Sequence, residues 1–142
     1  METSLHDKII LRCQQDREKG LTASILKDLK NPSHQLTLLS VFYADVTAGG
    51  FEQFIYNANG VYLPEVAEVL DAVNASHATE FLDAVMQHCI DESEAYQSFL
   101  VSDFSDCAFK AAIRDITDRY TDTGISLIEE IPEQLVKLLR HR

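Results

Sequence analysis

Lys and Arg are missing from the middle of this 142-residue chain: from Asn31 to Phe109 there is none. Ordinary usage would place roughly ten in such a stretch. The same residues include twelve Asp and Glu, whereas residues 1–30 carry six basic and five acidic side chains and residues 110–142 carry six of each. The net charge of −11 is therefore segmental. Direct binding of nucleic acid or of an anionic membrane leans on cations, and this balance argues against both. Long apolar runs are also lacking, so no segment approaches the roughly 18 residues that a membrane-spanning helix needs. Cysteines are few and odd in number: Cys13, Cys89 and Cys107, widely spaced. They read as buried thiols of a reduced, cytoplasmic protein and not as a disulfide framework. The polar, acidic start Met1-Glu2-Thr3-Ser4 does not have the pattern of a secretory signal. What remains, 46% hydrophobic and 25% charged residues, is the composition of a folded globular chain.

Strand signals are absent too. No period-two alternation is sustained, and the one Asn-Gly pair, Asn59-Gly60, has no alternating flanks. Helical spacing recurs instead. Leu5, Ile9 and Cys13 share a face that closes at Gly20, and Leu21 to Lys30 carries a second short helix. Asn31-Pro32 gives a cap followed by a proline at the first helical position. Leu36, Leu39, Tyr43 and Val46 continue that helix, Gly49-Gly50 interrupts it, and Phe51 to Ala58 resumes it up to the stop at Asn59-Gly60. Pro64 opens a helix with the apolar face Val66, Val69, Leu70, Val73, and the next, from about Ser76, buries Phe81, Leu82, Val85, Met86 and Cys89. Tyr96, Phe99 and Leu100 mark a further turn. Ser105 is placed to cap a helix with Phe109, Ala112, Ile113, Ile116 and Tyr120 on one stripe, ended by Gly124, and Pro132 suits the first position of a last helix. The reading is all-α: a single compact multi-helix domain, with residues 1–33 as an N-terminal helical segment packed on a main body of 34–142.

The acids of the depleted stretch form faces. At about 100° per residue, Glu68 and Asp71 lie opposite the Val69/Leu70 side, with Glu65 at its flank. In the next helix Glu80, Asp83 and Asp91 turn away from the Phe81–Val85–Cys89 stripe, Gln87 completes the row, and Glu94 continues it. Residues three and four apart on a helix are separated by about 5–6 Å, of the order of the ~3.4 Å between phosphates along one strand of a duplex. Such a face costs a few tenths of a kcal/mol per like-charge pair. Its sign suits the cation-rich surface with which a DNA reader grips phosphate, and attraction to it is fast and salt-sensitive. Glu65, Glu68, Asp71, Glu80, Asp83, Asp91 and Glu94 are the expected contact face, with Glu92, Asp103 and Asp106 as extensions.

Catalytic signatures do not occur: there is no phosphate-binding glycine loop, HExxH or G-x-S-x-G. No EF-hand spacing is present, and no histidine has the preceding glutamate that a di-metal bundle site uses. His77 and His88 lie three helical turns apart, about 16 Å at 1.5 Å per residue, too far to share an ion. No enzyme activity, metal or cofactor is expected.

From Phe42 to Gly60 the chain reads Phe-Tyr-Ala-Asp-Val-Thr-Ala-Gly-Gly-Phe-Glu-Gln-Phe-Ile-Tyr-Asn-Ala-Asn-Gly. With Gly49, Gly50, Phe51, Gln53, Phe54, Asn57 and Gly60 as its framework, this string resembles the signature of the DNA-mimic protein family. Looser similarity extends over the Pro64–His88 pair of helices, Asp118-Arg119-Tyr120 and the Leu-rich ending before His141, covering roughly residues 34–142. The resemblance implies an all-α fold. It also implies, for the family's characterised member, an acidic homodimer that occupies the DNA-binding surface of a helix-turn-helix repressor. On that reading the partner here is a basic DNA-binding protein, and the signature residues organise the fold while the carboxylates make the contact. The alternative is a generic interaction or inhibitor/immunity-type module that works through an apolar or aromatic surface, with Tyr56, Tyr62 and Tyr96 as its residues.

Overall fold

The computed structural model describes residues 4–20, 23–59 and 61–140, Arg140 by its backbone only. Leu21 and Gly60 of the sequence reading lie outside the described residues. Within them the chain is helical from end to end, without a strand: α1 (Leu5–Lys19), α2 (Ala23–Lys27), α3 (Pro32–Ala58), α4 (Leu63–Ala72), α5 (Ser76–Asp91), α6 (Ser93–Leu100), α7 (Ala108–Asp122), α8 (Leu127–Glu130) and α9 (Glu133–Arg140).

Local chemistry sets most of these limits. The Ser4 hydroxyl accepts from the Asp7 N–H to start α1, and Gly20, at φ 81°, closes it. The Asn31 side chain accepts from the Ser33 and His34 N–H groups ahead of Pro32, and Asn59, left-handed at φ 51°, ends α3. Within α3 the helical path breaks at Gly50, whose φ of 83° bends one long helix into two arms.

Three local expectations are corrected. Ser105 does not cap α7, because its hydroxyl is turned back onto the Asp103 carboxylate; the cap is the Cys107 thiol, which accepts from the Lys110 N–H at 3.4 Å. Cys107 is accordingly exposed, and only Cys13 and Cys89 are buried. Pro132 stands one place earlier than expected, with its carbonyl accepting from the Leu135 and Val136 N–H groups as the residue before α9. The short α8, started by a reciprocal Ser126–Glu129 capping box, has no apolar periodicity and was not legible in advance.

α3 is the centre. α1, α4, α7 and α9 pack on it, and α5 packs on α4 and α7, with α6 and α8 closing its flanks. Phe42, Phe51 and Phe54 are fully buried and each stabilises the fold by about 1.5–3 kcal/mol. Phe42 and Phe54 meet edge to face at 4.9 Å, and a chain of ring contacts runs from Phe51 through Tyr120 to Phe81 and His77. Most of the expected apolar stripes are inside: Val66, Val69 and Leu70 of α4; Leu82, Val85 and Cys89 of α5; Phe109, Ile113, Ile116 and Tyr120 of α7; Val73, Phe81, Met86 and Ala112 are half-buried at the edges.

Candidate functional site

The α4–α5 corner joins two acid-bearing helices through a turn of three residues. Asn74, at φ 62°, follows the end of α4; its N–H donates to the Asp71 carbonyl and the Ala75 N–H to that of Leu70, which satisfies the last carbonyls of α4. α5 then begins with no cap of its own. The carboxylate of Glu130, in α8, supplies it: the His77 and Ala78 N–H groups donate to its two oxygens at 2.8 and 3.0 Å. An anion at the positive end of a helix is favourable twice, as hydrogen-bond acceptor and as charge.

Six of the seven expected contact residues, Glu68, Asp71, Glu80, Asp83, Asp91 and Glu94, are exposed. Glu65 is half-buried, and its Oε2 is enclosed without a hydrogen-bond partner. Asp71 from α4 and Glu80 and Asp83 from α5 line one open groove of about 560 Å³, with Leu70, Asn74, Ser76 and Thr79. Asp91 lies further along α5, where the Gln87 amide donates to its carboxylate at 2.9 Å. Glu94 belongs to the separate helix α6. Among the described residues, none of the seven takes part in an ion pair. Of the extensions, Glu92, Asp103 and Asp106 are all exposed, but Asp106 is met by Lys110 at 3.3 Å.

Two acids of the cation-free stretch behave differently. Asp45 and Glu52 are buried, and each receives a cation from one of the charge-balanced ends. Arg17 of α1 donates to Asp45 Oδ2 at 2.8 Å; Arg114 of α7 reaches Glu52 Oε2 at 3.4 Å. The ends of the chain thus neutralise these two inward carboxylates, and of the outward ones in that stretch, among the described residues, only Asp106 is met by a cation.

The glycine-bounded string builds the scaffold around those two buried acids. The Asn57 and Gln53 amides both donate to Asp45 Oδ1, at 3.0 and 3.4 Å, so these two signature residues are donors converging on a carboxylate twelve and eight residues earlier. At Gly49 a Cβ would run into the Gln53 amide. At Gly50 it would strike the Glu52 carboxylate and, at 2.8–2.9 Å, the Thr117 side chain, in a backbone conformation L residues rarely adopt. The bend is held from α7: Thr117 Oγ1 accepts from the Phe51 N–H at 2.9 Å and donates to Glu52 Oε1 at 2.8 Å. Sequence reasoning missed Asp45 and Glu52 as inward groups. One signal was available: Asp45, Gln53 and Asn57 are spaced by eight and four residues, a helical repeat on one side.

The three tyrosines of the alternative reading are not exposed. Tyr62 is buried, and burial, reinforced by the Asp45 charge, pushes its phenol up to about 12. Tyr56 donates to the Ser102 carbonyl at 2.6 Å, and the Tyr96 hydroxyl is enclosed. His77 and His88 stack on Tyr120 and Phe109 respectively, and among the described residues no cluster of three or more His, Cys, Asp or Glu is arranged to hold a metal ion. No described helix is long and apolar enough to cross a membrane.

Fold and face together define a class: an all-α protein whose outward carboxylates on α4, α5 and α6 have no ion-pair partner among the described residues. The chain matches the family described as DMP19-like protein over residues 27–141, from the end of α2 through α9, and it belongs to that family. This agrees with the DNA-mimic resemblance of the sequence. No curated protein and no solved structure matches the chain.

Proposed function

We propose that the protein binds a basic DNA-binding protein, such as a helix-turn-helix regulator, and competes with DNA for it. The observation that carries this reading is the unpaired state of Glu68, Asp71, Glu80, Asp83, Asp91 and Glu94, all exposed in a segment that contains no Lys or Arg. A folded chain ordinarily mixes signs on its surface, whereas here two cations from the ends, Arg17 and Arg114, reach the buried Asp45 and Glu52 and none pairs with these six acids among the described residues. The groove shared by Asp71, Glu80 and Asp83 would seat a cationic side chain that otherwise meets phosphate. Family membership supports the same reading. A cytoplasmic location and a homodimeric state go with it, as does a role that needs no catalysis.

Pull-down from a lysate of the native host, at low and high salt, tests it. Recovery of a basic nucleic-acid-binding protein at low salt, lost at high salt and displaced by duplex DNA, is the expected result. Capture that survives high salt is the mark of an apolar interface and overturns the proposal. Reversal of Glu80 and Asp83 to Lys abolishes capture and leaves the helical circular dichroism unchanged.

A further inference from the structure

α1 lies outside the matched residues 27–141, yet it provides the cation for Asp45. Its attachment is both apolar and polar: α1 packs on α3 and on α9, burying Ile9 and Cys13 and covering Leu5 and Ile10 in part. Polar links cross to α3. His6 Nδ1 and the Tyr43 hydroxyl are 2.7 Å apart. Arg12 Nη2 donates to the Ser33 carbonyl and hydroxyl and to the Thr37 hydroxyl, at 2.9–3.1 Å, while its Nε is paired with Asp16 of the same helix at 2.7 Å. Arg17 reaches in from a side chain 43% exposed to an Asp45 side chain 1% exposed.

An element held this way differs from the rest of the fold. Water can replace hydrogen-bond partners when a surface helix lifts, but it cannot replace apolar contact. On opening, α1 therefore gives up less apolar contact, that of Ile9 and Cys13 and its packing on α9, than the α3–α4–α5–α7 core, which would expose Phe42, Phe51, Phe54, Leu70, Leu82 and Ile113, all fully buried. Arg12 leaves together with its own Asp16, so that pair stays intact. Asp45 is the group with most to lose: without Arg17 its carboxylate keeps only the Asn57 and Gln53 amides.

We propose that α1 is a strap over α3, opening as a unit while the remainder stays folded, with Arg17–Asp45 as its latch. Opening turns a neutralised seam into a cleft with a bare carboxylate on its floor. The open form thus adds an unpaired carboxylate on α3 to those of α4–α6.

Native-state hydrogen exchange of the full chain, followed by mass spectrometry through sub-denaturing urea, tests this. Amides of α1 are expected to exchange on the order of ten-fold or more faster than those of α3, with a weak urea dependence that marks a small opening. Arg17→Met speeds α1 exchange by a further factor on the order of ten, since it strands a buried anion, and moves α5 and α7 amides less than about two-fold. Asp45→Asn on that background recovers part of the loss. A single urea isotherm shared by α1 and α3 in the unmodified protein overturns the strap, whether or not the variants fold. An equal acceleration of α1 and α5 by Arg17→Met overturns the latch.

Discussion

Thr117→Val removes one oxygen, keeps the side-chain volume, and leaves two buried groups without partners. The Phe51 N–H loses its acceptor at 2.9 Å and Glu52 Oε1 loses its donor at 2.8 Å. Both sit at the bend where α3 crosses α7, and both residues are buried, so water does not take the place of the hydroxyl. Each orphaned group costs about 1–3 kcal/mol, which puts the variant about 2–6 kcal/mol below the parent. For a domain of this size that lowers Tm by roughly 6–20 °C. Thr117→Ser is the control: it retains both hydrogen bonds and deletes one methyl group, a loss of about 1 kcal/mol. Urea unfolding followed by circular dichroism measures all three proteins. If valine costs no more than serine, the bend is held by packing alone and the argument from the shared hydroxyl is wrong.

Other outcomes follow from the same structure. Leu82→Ala, at a fully buried position of α5, lowers stability by about 2–5 kcal/mol in urea melts. Glu130→Ala removes the acceptor for two α5 N–H groups and costs about 1–2 kcal/mol. The same melt, with faster exchange confined to the first turn of α5, checks it; unchanged exchange there refutes the cap. Stability also falls at high pH. Burial raises Tyr62, Tyr96 and Tyr120 from 10.0 to about 12 and Cys89 from 9.0 to about 11, so the unfolded chain gives up these protons first. Their contribution is complete below about pH 9 and is lost as pH rises toward 12; a flat urea midpoint between pH 9 and 11.5 contradicts it. Finally, added KCl raises Tm because it screens the self-repulsion of a chain with net charge −11. Scanning calorimetry reads the sign, and a fall in Tm would show that the internal ion pairs outweigh the surface.

How much of this was legible depends on how far each determinant acts along the chain. Asn31, Pro32, Asn59 and Gly20 work within four residues, and each marks its helix end in the sequence. The bare acids of α4 and α5 were placed outward by periodicity alone, since an apolar stripe fixes the opposite side. Glu65 was visible as a flank residue but not as a half-enclosed one, because its surroundings come from packing against the rest of the fold. Asp45 and Glu52 were hidden for a stronger reason: their partners Arg17, Arg114 and Thr117 lie 28 to 65 residues away. The same holds for Glu130, 52 residues from Ala78. Cys107 differs: its determinants are local, but a thiol is a weak acceptor, and Ser105 takes the Asp103 carboxylate instead of the cap. Charge counted by segment pointed to the face; it could not tell that one cation from each end reaches an acid buried beneath the same stretch.

The dependence of α5 on Glu130 sets an order of events at the ribosome. The amino end of the helix that bears Glu80, Asp83 and Asp91 is translated more than fifty residues before the carboxylate that closes it. The bend at Gly50 waits similarly for Thr117. A nascent chain paused before residue 117 would hold its acid-rich helices with neither fastening made, and a gene truncated ahead of α8 would release a protein with every contact carboxylate present but without the carboxylate that closes the corner on which three of them stand.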